Sequence, residues 1–587
     1  MLSQACFLQS SRLSYAVAQA LGCAALLLPA SALAQAPGAL SPGVQLQQQL
    51  RQFENSPNPS SGDVDLAPSQ EDSTPADEQG LQQTMFLKGV RFEGNFRYSA
   101  DELIQPFVQL IGEDITFAQL QQAVVDAQNV YRSAGYITSV IYLPQQPQIF
   151  VDNGMVLVKV VEGFIEDVEV RGANDGLRAY AERMLQGVEG GPNENIFNFS
   201  TLERQLVLMR DFGGLQYTTT LTRGTRLGGS VLLVDLKEKS LSAGLTVDNN
   251  LPAQLGEVRT GAYAQYVTPT SLPFKVNLLG NYAFPVDNGL IDGIASLSAP
   301  IGTNGLRASA LWATSSTNSS DLYDGPSKVQ TRGESNYLAF GMDYPLTARR
   351  NTQLNIGLKG IALNSSNDIY VDDNHTTNLA TNRIRAAQLN VDAFTFDAAT
   401  TYQLNLLLKQ GFSGLDDELE DGEFLSNPYG SNDFTTARLN LTAVHRLFDT
   451  NTSLTVKGAG QLASTGLPVP EQFTYGGPNF GRGFTSAYIL GDQGASGLVQ
   501  LGHDFYFDNG TTSLGPFAWA DYGYVNYLEG PLPDQEAATY GVGLKGTAWS
   551  GKGNFEVGWG VPSLNTLDPG DVGIDSSIVY FKVGVGF

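Results

Sequence analysis

Cysteine is almost absent: the 587-residue chain has 2, Cys6 and Cys23, both among residues 1–34. That segment carries a single charge at Arg12, a short apolar stretch from Ala20 to Leu28, then Pro29 and the small-residue site Ala32-Leu33-Ala34. It is read as a cleaved secretory signal. The mature chain is then free of thiols, which excludes disulfides and thiol chemistry. Charge is scarce as well. Charged side chains make up 16% of the chain, against roughly 25% in soluble proteins. They are also unbalanced, with 34 basic and 59 acidic residues for a net charge of −25, which argues against a nucleic-acid partner. No apolar run reaches the ~18 residues of a spanning helix, so a helical membrane protein is excluded. Histidine is confined to His375, His445 and His503 without ligand spacing, so no metal or other cofactor is expected. The hydrolase, zinc-protease and phosphate-loop signatures are missing too, and no enzyme is expected.

Glycine and aromatics are plentiful. The chain holds 64 Gly in 587 residues, with 24 Tyr and 30 Phe; that is about 11% Gly where ~7% is usual. Low charge, high Gly and many aromatics without a hydrophobic run leave one membrane class open, the transmembrane β-barrel, whose strands hide an apolar face by alternation.

Four regions follow the signal. Residues 35–85 are rich in Gln, Pro and Ser and read as a tether, with one helical piece on which Val44, Leu46, Leu50 and Phe53 partly share a face. Residues 86–164 and 165–240 repeat one order of elements, β-α-α-β-β. In the first unit, capping boxes at Ser99–Glu102 and Thr116–Gln119 start helices, the second carrying Leu120, Val124, Ala127 and Tyr131 on one face up to Gly135. Strands are expected at 86–92, 136–143 and 155–161. The second unit has strands at 167–170, 215–222 and 230–236, a helix near 177–185, and a box at Ser200–Glu203 launching Leu202, Leu206 and Met209 up to Gly213.

Residues 241–587 alternate with period two. Val579, Phe581, Val583, Val585 and Phe587 share one strand face, opposite Tyr580, Lys582, Gly584 and Gly586. The same pattern recurs at 354–359, 437–443 and 555–561. The region holds 587 − 240 = 347 residues, room for about sixteen antiparallel strands of ~10 residues with their connections. An acidic stretch, Asp416-Asp417-Glu418 to Glu423, lacks the spacing of a calcium loop and reads as a solvated loop.

The most distinctive segment is Phe473 to Phe484, where Gly476, Gly477, Gly481 and Gly483 surround one cation, Arg482. By composition alone it could equally be an exposed glycine-rich loop. Downstream, Asp521 sits between Phe517-Ala518-Trp519 and Tyr522-Gly523, a carboxylate in the middle of a strand. An arginine and a carboxylate confined in a polar lumen can form an oriented, bidentate pair.

With these residues in view, the chain resembles the outer-membrane transporters of two-partner secretion, the haemolysin/adhesin secretion-activation family, which share a superfamily with the barrel-assembly insertases. Gly135-Tyr136-Ile137, Leu143-Pro144-Gln145-Gln146 and Val160-Val161-Glu162-Gly163 resemble that family's first polypeptide-transport-associated (POTRA) domain. Leu208 to Gly214 and Arg223-Gly224-Thr225 stand where the second has its helix end and turn. Gly481-Arg482-Gly483-Phe484 resembles the superfamily's inward loop, with Gly481 in place of the usual apolar residue, and Asp521 stands where the acid paired with that arginine is found. The resemblance implies a helix over Val44 to Phe53 that plugs the barrel, two periplasmic POTRA domains, and a structural or gating role for Arg482, Gly483, Phe484 and Asp521. It also implies a monomer among outer-membrane lipids that secretes a large partner exoprotein of haemolysin or filamentous-adhesin type. Two rivals stay open: an insertase for other barrels, which usually carries more POTRA units, and a diffusion porin.

Overall fold

The computed structural model describes residues 39–54, 84–147, 150, 153–192, 194–285, 289–320, 322, 326–415, 419–420, 422–448, 450–567 and 576–587. The expected signal with Cys6 and Cys23, the Pro-rich tether after Glu54, and Asp416, Asp417, Glu418 and Asp421 of the acidic stretch lie outside the described residues.

Both capping boxes of the first α+β unit form. The Ser99 and Thr116 side chains accept from the Glu102 and Gln119 amides, and the Glu102 and Gln119 side chains reach back to the cap amides, satisfying N–H groups that a helix start leaves bare. The helix Phe117–Ser133 buries Leu120, Val124, Ala127 and Tyr131 against Ile141, Val156 and Val158 of a three-stranded sheet. That sheet runs in the order Gly89–Glu93, Met155–Val161, Val140–Tyr142, while Thr84–Phe86 pairs separately with Asp114–Thr116. The strand expected over 136–143 is shorter than the sequence suggests. The helix stops in a Schellman turn, Tyr136 N–H to Tyr131 C=O at 3.0 Å, with Gly135 at φ +91°; residues up to Ser139 continue that turn before the strand begins.

In the second unit the sheet order is Phe164–Gly172, Gly229–Lys239, Gly214–Arg223. Helices Asp175–Leu185 and Phe199–Phe212 cover it, burying Leu202, Leu206 and Met209. The box expected at Ser200–Glu203 is a correction. The helix starts two residues earlier than that box implies, and Asn198 caps it by accepting from the Ser200 amide at 2.9 Å. Glu203 is drawn away because its carboxylate accepts from the Arg350 amide at 2.9 Å.

The remaining residues form a closed antiparallel β-barrel of sixteen strands, from Leu241–Asp248 to Ile578–Gly586. The strand near residue 500 is broken at Asp504 into Gln493–His503 and Phe505–Phe507. First and last strands pair from Lys582 opposite Asp248 to Gly586 opposite Gly244. The Asn249 side chain lengthens this seam, accepting from Phe581 N–H at 2.7 Å and donating to Val579 C=O at 2.8 Å.

Alternation sorts the wall. Leu338, Phe340, Met342, Leu358, Leu439, Leu441, Trp559 and Val579 face outward and are exposed, while Tyr337, Ala339, Ile361, Leu363 and Tyr580 face inward and are buried. An apolar outer face suits lipid, and closure leaves no unpaired strand edge there. Exposed Phe448, Trp549 and Phe587 lie at the end that carries the α+β units, as an interfacial aromatic belt would. Three consecutive strands, Val329–Ala348, Thr352–Val371 and Asn374–Phe396, are 20, 20 and 23 residues long. A tilted strand needs ~9–11 residues to cross a bilayer, so these project well beyond it at the far end.

One buried carboxylate organises the first unit. Glu162 Oε1 accepts from the Phe96 and Arg97 amides at 2.9 and 2.7 Å and from the Tyr131 hydroxyl at 2.7 Å. The Glu162→Ala variant should accelerate amide exchange at Phe96 and Arg97 about thirtyfold, equivalent to roughly 2 kcal/mol for a charge-assisted network. Hydrogen exchange on the purified full chain measures this, and unchanged protection at both amides would contradict the assignment.

Candidate functional site

The barrel lumen is occupied. The helix Pro42–Glu54 begins with Pro at its first position, where a missing N–H costs nothing. It is buried on more than one side: Val44, Leu46 and Leu50 are 2%, 0% and 3% exposed, and Gln45 and Gln49 are buried as well. Phe53 is half-buried. Leu46 and Leu50 pack on the inward faces of several strands, through Ile294, Tyr337, Ile361, Leu363 and Ile384. Val44 packs instead on Ala487 and Leu490 of the loop that follows the strand Thr452–Ala463. Small residues make the seat: a Cβ on Gly43 would lie 2.8 Å from Pro470 Cγ, and one on Gly333 would lie 2.9 Å from Pro42 Cδ.

That loop, 464–492, starts at the far end and folds inward around a short hairpin, Phe473–Tyr475 with Ile489–Gly491. Buried charge anchors it. Glu471 takes two hydrogen bonds from Lys409 Nζ, at 3.1 and 2.8 Å. Asp492, 0% exposed, accepts from the Leu467 and Leu528 amides at 2.9 Å and from Gln472 Nε2 at 3.1 Å. Arg438 donates to Gln461 Oε1 and to the Gln472 carbonyl. Arg51 of the helix approaches Thr474 Oγ1 of the loop at 3.5 Å.

Arg482 and Asp521 are both buried on the same side of the lumen, but they do not form the direct pair that the sequence suggests. Arg482 donates to the Pro478 carbonyl at 3.1 Å, to Gln500 Oε1 at 2.9 Å and to the Tyr580 hydroxyl at 3.3 Å. Its charge partner is Glu556 at 3.6 Å, and its guanidinium lies over the rings of Trp519, Phe517 and Tyr580 at 5.2, 5.7 and 5.9 Å. Asp521 accepts from the Tyr475 hydroxyl at 2.5 Å and the Thr539 hydroxyl at 2.7 Å. The reason is depth. Trp519 and Gln500 face each other across the ladder, whereas Asp521 faces Leu498 and Thr539 one inward position further toward the far end. The loop therefore reaches this wall at two levels, Arg482 at one and Tyr475 at the other.

Gly481 now has a reason. Its φ is +79°, and a Cβ would meet the Tyr475 ring at 2.8 Å and Gly476 Cα at 2.9 Å, so an apolar side chain does not fit this turn. Phe484 is buried and stacks on Tyr488 at 4.2 Å. Gly483 lies against Thr539, 2.9 Å from where a Cβ would be. Sequence reasoning missed Lys409, Glu471, Glu556 and Tyr580. Their strands carry the period-two pattern, but nothing local says which inward residues meet a loop far along the chain.

In the second α+β unit, the turn after Arg223 is held by Glu166, which accepts from the Thr225 hydroxyl and from the Thr225 and Arg226 amides at 2.8 and 3.2 Å. The Thr225 hydroxyl, then the Arg226 amide, hold the Glu166 carboxyl below its ordinary range. Its contribution is thus present at neutral pH and is lost as pH falls through that lowered value. Among the described residues no three His, Cys, Asp or Glu side chains gather as metal ligands.

The sequence model of the haemolysin secretion/activation proteins ShlB/FhaC/HecB matches residues 228–546, and that of the ShlB-type POTRA domain matches residues 85–163. The heme/hemopexin transporter protein HuxB of Haemophilus influenzae is 20% identical over 485 residues, covering 80% of this chain and 82% of the relative. CdiB from Escherichia coli superposes with a TM-score of 0.72 at 19% identity, over 94% of this chain and 99% of that one. CdiB from Acinetobacter baumannii gives a TM-score of 0.64 at 15% identity with the same coverage. At these identities the structural likeness is one of fold.

The Glu471→Gln variant strands the Lys409 ammonium in the wall, a loss of roughly 3–5 kcal/mol for a broken buried pair. The loop should then become open to protease added to whole cells. Replacing both partners, Lys409→Met with Glu471→Leu, should restore protection. Equal protease resistance of Glu471→Gln and the parent would show that the pair does not anchor the loop.

Proposed function

The chain belongs to the haemolysin secretion/activation protein family, the outer-membrane transporters of two-partner secretion, and from that premise we propose how its parts move a client. The family carries partner exoproteins across the outer membrane with its POTRA domains in the periplasm. The end of the barrel that bears the α+β units is therefore periplasmic, and loop 464–492 descends from the cell surface. Membership also favours a transporter over an insertase, and the α+β units speak against a simple porin.

The client is a large exoprotein of haemolysin or filamentous-adhesin type, received unfolded. The α+β units capture it by adding a strand to a sheet edge; the edge strands are Gly89–Glu93 and Val140–Tyr142 in the first unit and Phe164–Gly172, already bridged at Ile165 by Glu189, and Gly214–Arg223 in the second. The single observation that carries the gating part of this reading is the filled lumen. Helix Pro42–Glu54 is the plug and leaves before the client enters. Arg482, Gly483, Phe484 and Asp521 act structurally, holding the inward loop against the wall, and no catalytic role is assigned to them. Surface folding of the client draws it outward without nucleotide. A lumen that one chain completes by itself supports a monomer, and the apolar outer face supports contact with outer-membrane lipid.

Export of the cognate client from cells carrying Arg482→Ala or Asp521→Ala tests the loop. Secretion into the medium should fall tenfold or more, on the order of the ~1.4 kcal/mol per decade expected of a lost buried contact, at normal barrel abundance. Normal secretion at normal abundance would sink the role given to these residues. For the plug, deleting residues 42–54 should raise the steady conductance of the purified barrel in a planar bilayer; an unchanged conductance would mean that the helix does not close it.

A further inference from the structure

The helix Phe199–Phe212 touches three bodies. At its start, the second α+β unit is bonded to carbonyls of the first: Phe197 N–H to Gly163 C=O at 2.8 Å, Asn198 Nδ2 to Ala134 C=O at 2.9 Å, and Phe199 N–H to Gly135 C=O at 2.8 Å. Two of these carbonyls lie just past the end of helix Phe117–Ser133, so the start of one unit's helix satisfies the end of the other's. The opposed helix ends also favour each other electrostatically. There is no slack at this joint. A Cβ on Gly135 would lie 2.9 Å from Asn198 Oδ1.

Further along, the same helix grips the barrel. Arg204 donates to the Asn304 and Pro345 carbonyls at 3.1 and 2.8 Å and lies 5.8 Å from the Tyr344 ring centre. Glu203 accepts from the Arg350 amide at 2.9 Å. Leu208 fills the space over Gly305, where a Cβ would come within 2.8 Å of it. Beyond the helix end Gly214 abuts Val267, 2.8 Å from where its own Cβ would be.

We propose that this helix is a rigid strut that fixes the first α+β unit in one position relative to the barrel mouth, with Asn198 and Arg204 as its positioning residues. Asn198 serves both ends of one contact: its Oδ1 caps its own helix while its Nδ2 holds the neighbouring unit. A client bound to the first unit is thereby held at a set distance from the lumen rather than on a swinging arm. The inference rests on the transport reading, because the strut matters only if a client is handed from unit to barrel.

Asn198→Asp separates the two roles. The carboxylate still accepts from the Ser200 amide, so the helix stays capped, but the donor to Ala134 is gone and two acceptors face each other. Asn198→Ser also caps and is too short to bridge. Spin labels on Asp126→Cys and Lys552→Cys in the full chain, in detergent or nanodiscs, report the distance between first unit and barrel. The parent should give one narrow distribution. Asn198→Asp, Asn198→Ser and Arg204→Ala should each broaden it, raising the undocked population up to about tenfold for the loss of an intramolecular hydrogen bond, and lower export at unchanged barrel abundance. A distribution as narrow as the parent's in the Asn198 variants, or a broad one with full export, overturns the strut. Failure of the parent to export any partner would instead overturn the transport reading and leave the distances to judge the strut.

Discussion

A closed wall of sixteen strands encloses more space than its own inward side chains can fill, and such a pore must be stopped by something the chain itself supplies. Much of the inner surface follows from that constraint. Glycines and small polar residues line the wall where the helix Pro42–Glu54 passes, and Ile361, Leu363 and Ile384 face Leu46 and Leu50 where apolar contact is needed. The outer surface follows from a second, simpler demand: every strand turns its other face to lipid.

The two fillers are held by different physics. Loop 464–492 is tied to the wall by buried charge, each ion provided with partners: Lys409 with Glu471, Arg482 with Glu556 and three rings, and Asp492 with two amides and a glutamine. Breaking such contacts strands a charge in a poorly hydrated site, so the loop behaves as part of the wall. The helix presents Val44, Leu46 and Leu50 to the wall and the loop in apolar contact. Apolar contacts can be exchanged for those of a passing polypeptide, while a stranded ion cannot. The division suits a fixed constriction and a removable plug.

How much of this could be read in the sequence depended on the range of the interaction. Period two places Val579 and Tyr580 on opposite faces wherever the strand goes, so the barrel is legible residue by residue. The boxes at Ser99 and Thr116 are local and form as written. The box at Ser200 was outbid by a partner at Arg350, which no local rule reveals, and Asn198 took over as cap. Arg482 and Asp521 were legible as an unusual cation and an unusual acid facing one lumen. Their actual partners, Glu556 and Tyr475, depend on how deep the loop descends, and that is fixed by the turn at Gly481 and by the anchors at Glu471 and Asp492. The helix at Val44 to Phe53 was faint because it faces protein on several sides, leaving no sharp polar face to mark its period.

The most direct test of the filled lumen as a gate is to lock the helix Pro42–Glu54 in place. A Cβ at Gly43 would lie 3.0 Å from Ser365 Oγ, within reach of a disulfide, with Pro470 giving way slightly. In cells carrying Gly43→Cys and Ser365→Cys, the account predicts that export of the client stops while the disulfide is oxidised and resumes on adding a reductant. Undiminished export through a barrel whose disulfide is fully formed would contradict it.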